Sequence, residues 1–170
     1  MKRSTPLKRS AFKSPRKPMA RGSKRLAARK RLSKRSKKKI SKDKVWKQFS
    51  IFIRTRGADS QGFNVCVTCG ERRHWKELQA GHFIAGRNNA VLFCETGTNP
   101  QCYVCNVPKH GNGVEYCLYM QRVHGQEVVD RLRLDATQTV KWPKGHLDEL
   151  YKKYSALNAE NPLVSAELDG

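Results

Sequence analysis

Two pairs of cysteines constrain this chain more than any other feature. Cys66 and Cys69 form one C-x2-C pair and Cys102 and Cys105 form another, with 32 residues between them. Each pair can place two thiolates on one tetrahedral ion through a tight knuckle. Four thiolates together close the coordination sphere and leave no open position for chemistry. The spacing therefore predicts a structural zinc site, with redox-active C-x-x-C pairs as the competing reading. Cys94 and Cys117 stand at no ligand spacing and read as buried thiols. The stretch between the pairs holds too little apolar material for a core of its own, so metal binding is expected to supply much of its folding free energy.

Charge divides the chain. Residues 1–44 carry twenty basic side chains and one acidic one, Asp43, whereas residues 45–170 carry fifteen and thirteen. The first stretch has few large apolar side chains and three prolines, Pro6, Pro15 and Pro18, so it cannot offset the chain entropy of ordering. It reads as a basic, mostly disordered arm over residues 1–42 that neutralises phosphates without reading sequence. A targeting peptide and a nuclear-localisation run are the alternatives. Its DNA-binding candidates are Lys24, Arg25, Arg29, Lys30, Arg31, Lys34, Arg35, Lys37, Lys38 and Lys39.

A body is expected over residues 43–157 and a loose tail over 158–170. Asp43 reads as an N-cap, and Val45, Trp46, Phe49, Phe52 and Ile53 recur at helical spacing up to Gly57. Three short β-like pieces follow, at Phe63–Val67, Leu78–Ile84 and Ala90–Phe93, and then helices at Val114–His124, Glu127–Leu134 and Leu147–Leu157. The longest apolar run, Ala90–Cys94, is far short of the roughly 20 residues of a membrane-spanning helix. No secretory signal is expected either, so the chain reads as a cytoplasmic protein of a reducing compartment.

Between the cysteine pairs lies Gln79-Ala80-Gly81-His82, and directly after them comes Asn106-Val107-Pro108-Lys109-His110-Gly111-Asn112. Phosphodiester hydrolysis needs a base to activate water and a divalent cation to neutralise developing charge, and His82 and Asn106 are candidates for those roles. Both are expected to converge on one ion-sized space.

In order, the chain presents C-x2-C-G, Ala-Gly-His-Phe, Asn-Pro-Gln-Cys-x-x-Cys-Asn and Lys-x-Gly-Asn. This order resembles the phage NinG/Rap recombination endonucleases, within the HNH or ββα-metal nuclease superfamily in its zinc-clamped treble-clef form. The resemblance implies an α+β fold, a small zinc-stabilised HNH-like core with flanking helices. It implies structural zinc on Cys66, Cys69, Cys102 and Cys105, His82 as general base, and magnesium or manganese on Asn106. Lys109 would hold a phosphate or stabilise the transition state, with His110 as a weaker alternative, and Glu95 is a weaker candidate ligand. Asn112 matches the pattern with a turn or capping role at least as well as a chemical one.

Two departures stand out. Gly81 occupies the place where many HNH enzymes carry an aspartate, and Gly97 stands where relatives often have asparagine. Something else must then fix the tautomer of His82, and a backbone carbonyl is the first expectation.

The activity so implied is cleavage of branched DNA such as Holliday junctions in a phage-infected bacterial cell. Symmetric cutting would need a homodimer, with the helices after Gly113 as its surface. Two alternatives remain, a non-catalytic zinc module that binds nucleic acid and a non-specific or sequence-specific HNH nuclease.

Overall fold

The structure is a computed structural model that describes residues 39–86 and 88–165. The DNA-binding candidates at positions 24 to 38 lie outside the described residues; Lys39 lies within them.

Helix α1 (Lys42–Thr55) starts two residues earlier than an N-cap at Asp43 would place it. Ser41 is its N-cap, with its hydroxyl accepting from the Lys44 N–H at 3.4 Å, and Asp43 sits in the first turn, where its charge still favours the helix dipole. Val45, Phe49 and Ile53, at four-residue spacing, are fully buried. Their main partner is α5 (His146–Ala159), where Tyr154 meets Phe49 edge-on with ring centroids 5.0 Å apart. The C-terminal region is not loose where it leaves this helix. Asn158 is buried and donates to the Gln48 carbonyl at 2.9 Å, and a short helix α6 (Pro162–Ser165) follows.

Two antiparallel hairpins carry the centre. Strands β1 (Phe63–Val65) and β2 (Arg72–His74) pair with Val65 opposite Arg72, and the first cysteine knuckle is their connecting turn. The turn closes through Gly70 N–H to the Cys66 carbonyl at 2.9 Å. Strands β3 (Leu78–His82) and β4 (Thr98–Cys102) pair with Gln79 opposite Gln101, Gly81 opposite Asn99 and His82 opposite Thr98. β4 runs straight into helix α2 (Tyr103–Asn106), so the second knuckle is a strand-to-helix junction.

Expectation and structure part at Ala90–Phe93. This apolar run is a turn, with Leu92 N–H bonded back to the Asn88 carbonyl at 2.9 Å, and the strand lies further on, in Thr98–Cys102. A short apolar run preceded by two asparagines is compatible with either conformation, and packing decided it: Val91 and Leu92 are buried while the backbone turns.

Helices α3 (Gly113–His124) and α4 (Gln126–Ala136) form a hairpin about Gly125 and bury Tyr116, Met120, Val129 and Leu132 together. Cys94 and Cys117 are half-buried rather than buried, and Cys117 takes a hydrogen bond from Arg133. The described chain is thus an α+β fold built from helices and two small two-stranded sheets. No helix among the described residues is long and apolar enough to cross a membrane.

Candidate functional site

The two knuckles bring Cys66, Cys69, Cys102 and Cys105 together, with all four sulfurs within 4.8 Å of one another. A tetrahedral zinc with bonds near 2.3 Å needs sulfurs roughly 3.8 Å apart, and Cys69 Sγ lies 3.8 Å from Cys102 Sγ. The donor set and its spacing fit a structural zinc ion. The surroundings prepare unequal thiols. Burial pushes the Cys66 thiol up, but hydrogen bonds from the Thr68 hydroxyl and from backbone N–H groups pull it down to about 6. Burial and the neighbouring thiols push Cys69 up to about 12, so an ion must displace its proton on binding. Outer contacts tie the sulfurs into the fold: Thr68 Oγ1 is 3.3 Å from Cys66 Sγ, and Asn112 Nδ2 points at Cys105 Sγ from 3.9 Å. Asn112 also holds a left-handed conformation, φ +50, at the entry to α3, with no capping bond from its side chain.

Successive side chains of β3 alternate between faces. Ala80 faces α1, where it packs with Phe49, Ile53 and Tyr154, and His82 follows it there. The His82 ring stacks on Trp46 at 4.9 Å with an 18° tilt, and its Nε2 lies 3.0 Å from the Leu92 carbonyl. Leu92 thus provides the backbone carbonyl expected to fix the imidazole. With the proton on Nε2 for that bond, Nδ1 is the nitrogen that can accept one. Trp46, read from its periodicity as core, is a wall of this site.

Gln79 lies on the opposite face, where its side chain reaches α2. Asn106 donates its amide nitrogen to Gln79 Oε1 at 2.6 Å. Among the described residues no donor bonds the side-chain oxygen Oδ1 of Asn106, which keeps it available to a hard cation, whereas its backbone carbonyl accepts from the Gly111 N–H at 3.1 Å. His82 is thus engaged by Leu92 and Trp46, and Asn106 by Gln79, which stands three residues before His82 on β3.

Gln101 explains why residue 81 is glycine. Its side chain is fully buried, donating from Nε2 to Thr68 Oγ1 at 3.2 Å and to the Gly111 carbonyl at 2.8 Å. A Cβ on Gly81 would lie 2.7 Å from Gln101 Cδ and closer still to Oε1, an oxygen that has no hydrogen-bond partner. The amide occupies the space a residue-81 side chain would need, so an aspartate does not fit beside His82 here. At Gly97 the constraint is weaker, since a Cβ would meet its nearest atoms at 3.6 Å.

The remaining candidates are placed as follows. Lys109 and His110 are exposed on the loop after α2, with His110 at φ +48. Glu95 is engaged elsewhere: it accepts from Lys153 at 2.7 Å and from the Tyr154 hydroxyl at 3.0 Å. Burial pushes its carboxyl up, but these two partners outweigh that and hold it below its ordinary value. Gln101 escaped the sequence reading because only the register of β3 on β4 reveals its contact with Gly81.

A small α+β protein with a four-cysteine cluster able to hold a structural metal is the class that this geometry defines. The chain matches the family model described as bacteriophage Lambda NinG protein over residues 1–161, and it belongs to that family. Membership suggests a recombination-related phage function. No curated protein and no solved structure matches the chain.

Proposed function

We propose that this protein is a divalent-cation-dependent endonuclease of branched DNA, with zinc as a brace and a ββα-metal arrangement formed by β3, β4 and α2. The observation that carries the reading is the pair of flanking groups on β3. An imidazole is held by Leu92 and Trp46 on one side, and the Asn106 carboxamide is held by Gln79 on the other.

In-line displacement at phosphorus puts the attacking water and the leaving oxygen on opposite sides, so base and cation need not touch. A base nitrogen within about 3 Å of the water and a cation about 2 Å from the leaving oxygen are then separated by something on the order of 10 Å. In this reading the cation, magnesium or manganese, neutralises charge on the leaving oxygen. Asn106 presents its carbonyl oxygen, Gln79 fixes that amide's orientation, and His82 Nδ1 takes a proton from water. Lys109 neutralises a neighbouring phosphate. The basic arm supplies grip that weakens with salt.

The test is cleavage of a synthetic four-way junction and a linear duplex of matched sequence, with magnesium or manganese. The wild type is expected to cut the junction preferentially, and His82→Ala is expected to lower the rate by about 10²- to 10⁴-fold at unchanged junction affinity. Asn106→Ala should do the same. Variants that cut at the wild-type rate refute the roles, and equal cutting of both DNAs makes the enzyme non-specific.

The four-cysteine cluster, whose four thiolates would fill a metal's coordination sphere and keep no position open for chemistry, favours a second reading, a zinc-containing nucleic-acid binder without catalysis. Folded, zinc-loaded protein that binds the junction but cuts nothing in either cation establishes it. Val114 and Leu118, both exposed on α3, keep that helix as the proposed contact of a homodimer.

A further inference from the structure

Next to the His82 stack lies a cleft of about 480 Å³ lined by Lys39, Ile40, Trp142, Pro143, Lys144, Gly145, Leu147 and Asp148. Its volume lies in the range of small-molecule sites, and its walls combine an apolar floor, Ile40, Trp142, Pro143 and Leu147, with a cationic rim. Lys39 and Lys144 line it, and Lys42 sits over the Trp142 ring at 4.9 Å from the centroid. Asp148 is the one acidic group in the lining.

The cleft is preformed. Asn89 donates to the Val140 carbonyl at 2.9 Å and accepts from Lys42 at 2.7 Å, while Asn88 donates to the carbonyls of Ala136 and Gln138. These bonds pin the segment bearing Trp142 to the loop between β3 and β4. Trp142 also packs on Phe93 at 5.4 Å and near His146 at 5.6 Å.

Position relates the cleft to the candidate site. Lys42 touches Trp142, and Trp46, four residues on along α1, stacks on His82. Four residues, about 6 Å of rise, separate Lys42 from Trp46 along the helix, a length comparable to a single nucleotide step. We propose that this cleft is a subsite for one unpaired nucleotide adjacent to the phosphate at His82, its base on the apolar floor and its phosphates on Lys39, Lys42 and Lys144.

The proposal rests on the DNA reading above and deepens it by naming what the protein selects. A paired, stacked base costs a few kcal/mol to extract, and an already unpaired base costs least. A subsite with an aromatic floor and a cationic rim therefore favours DNA that offers a free base, as branch points do, while reading no base identity.

The experiment is fluorescence anisotropy of the full-length, zinc-loaded protein with three labelled probes without added magnesium. The probes are a duplex with a one-nucleotide bulge, the same duplex with an abasic bulge, and the unbulged duplex. The wild type is expected to bind the base-bearing bulge at least about tenfold more tightly than the abasic one, in line with stacking contributions of single bases. Trp142→Ala should erase that preference. Because Trp142 also packs on Phe93, Lys144→Glu serves as the second variant; its side chain is exposed, and it should reduce the preference severalfold at an unchanged melting temperature. Equal affinity of the wild type for the two bulges overturns the subsite and leaves DNA binding intact. A preference that survives both folded variants overturns it as well. Failure to bind any of the three probes overturns the DNA reading and the subsite with it.

Discussion

Adding one methyl group at Gly81 tests how this site is built. In Gly81→Ala the new Cβ would stand 2.7 Å from Gln101 Cδ and 3.0 Å from Cγ, so the buried amide must move. Moving it breaks the bonds from Nε2 to Thr68 and to the Gly111 carbonyl. Overpacking of this kind costs about 1–3 kcal/mol, and each of the two displaced buried hydrogen bonds adds about 1 kcal/mol, for a total of about 3–5 kcal/mol. Gln101→Ala alone leaves Thr68 and the Gly111 carbonyl without that donor and costs about 1–3 kcal/mol. In the double variant the alanine at 81 enters space the glutamine has vacated, so the second substitution adds little. Urea melts of the zinc-loaded proteins should therefore yield a coupling of at least about 1 kcal/mol, within the range for residues in contact. Additivity within about 0.5 kcal/mol, the behaviour of independent sites, refutes the claim that Gln101 excludes a side chain from position 81.

Two further outcomes follow from the metal brace and from Glu95. Removing zinc with a chelator should abolish the cooperative urea transition, and Cys102→Ser should lower the melting temperature sharply, because the site joins both hairpins; an unchanged transition after verified metal loss contradicts the brace. Glu95 has a folded value below its ordinary 4.5, so its contribution is complete above about pH 4.5 and is lost as pH falls through the folded value. Unfolding free energies from urea melts of wild type and Glu95→Gln should differ by up to about 1 kcal/mol near neutral pH, the range for a partly exposed pair, and should converge in acid. A difference independent of pH shows that the carboxylate charge is not what Lys153 and Tyr154 hold.

The elements legible in the sequence are those whose own side chains carry the signal. Val45, Phe49 and Ile53 announce α1, and the two C-x2-C spacings announce the metal site, because ligand geometry is local to each knuckle. β4 carries no such signal. Thr98-Asn99-Pro100-Gln101-Cys102 has neither alternation nor β-branched enrichment, yet all five residues are buried, because structure covers both faces of the hairpin. Ala90–Phe93 is apolar for the opposite reason: it caps a core as a turn. At the site, His82 and Asn106 were legible as chemical types, but their partners, the Leu92 carbonyl and the Gln79 amide, are set by how the chain folds back. The same holds for Trp46, whose helical periodicity is identical whether its ring fills a core or flattens against an imidazole.

The two knuckles sit at opposite ends of a stretch of 32 residues, one in a hairpin turn and one at a strand-to-helix junction. An ion held by both converts that stretch into a closed ring, whose ends can no longer diffuse apart when the rest of the chain frays. Most of the search entropy of joining β1 and β2 to β4 and α2 is then spent at the moment of metallation. Refolding after a transient opening becomes a local event for as long as the ion stays in place.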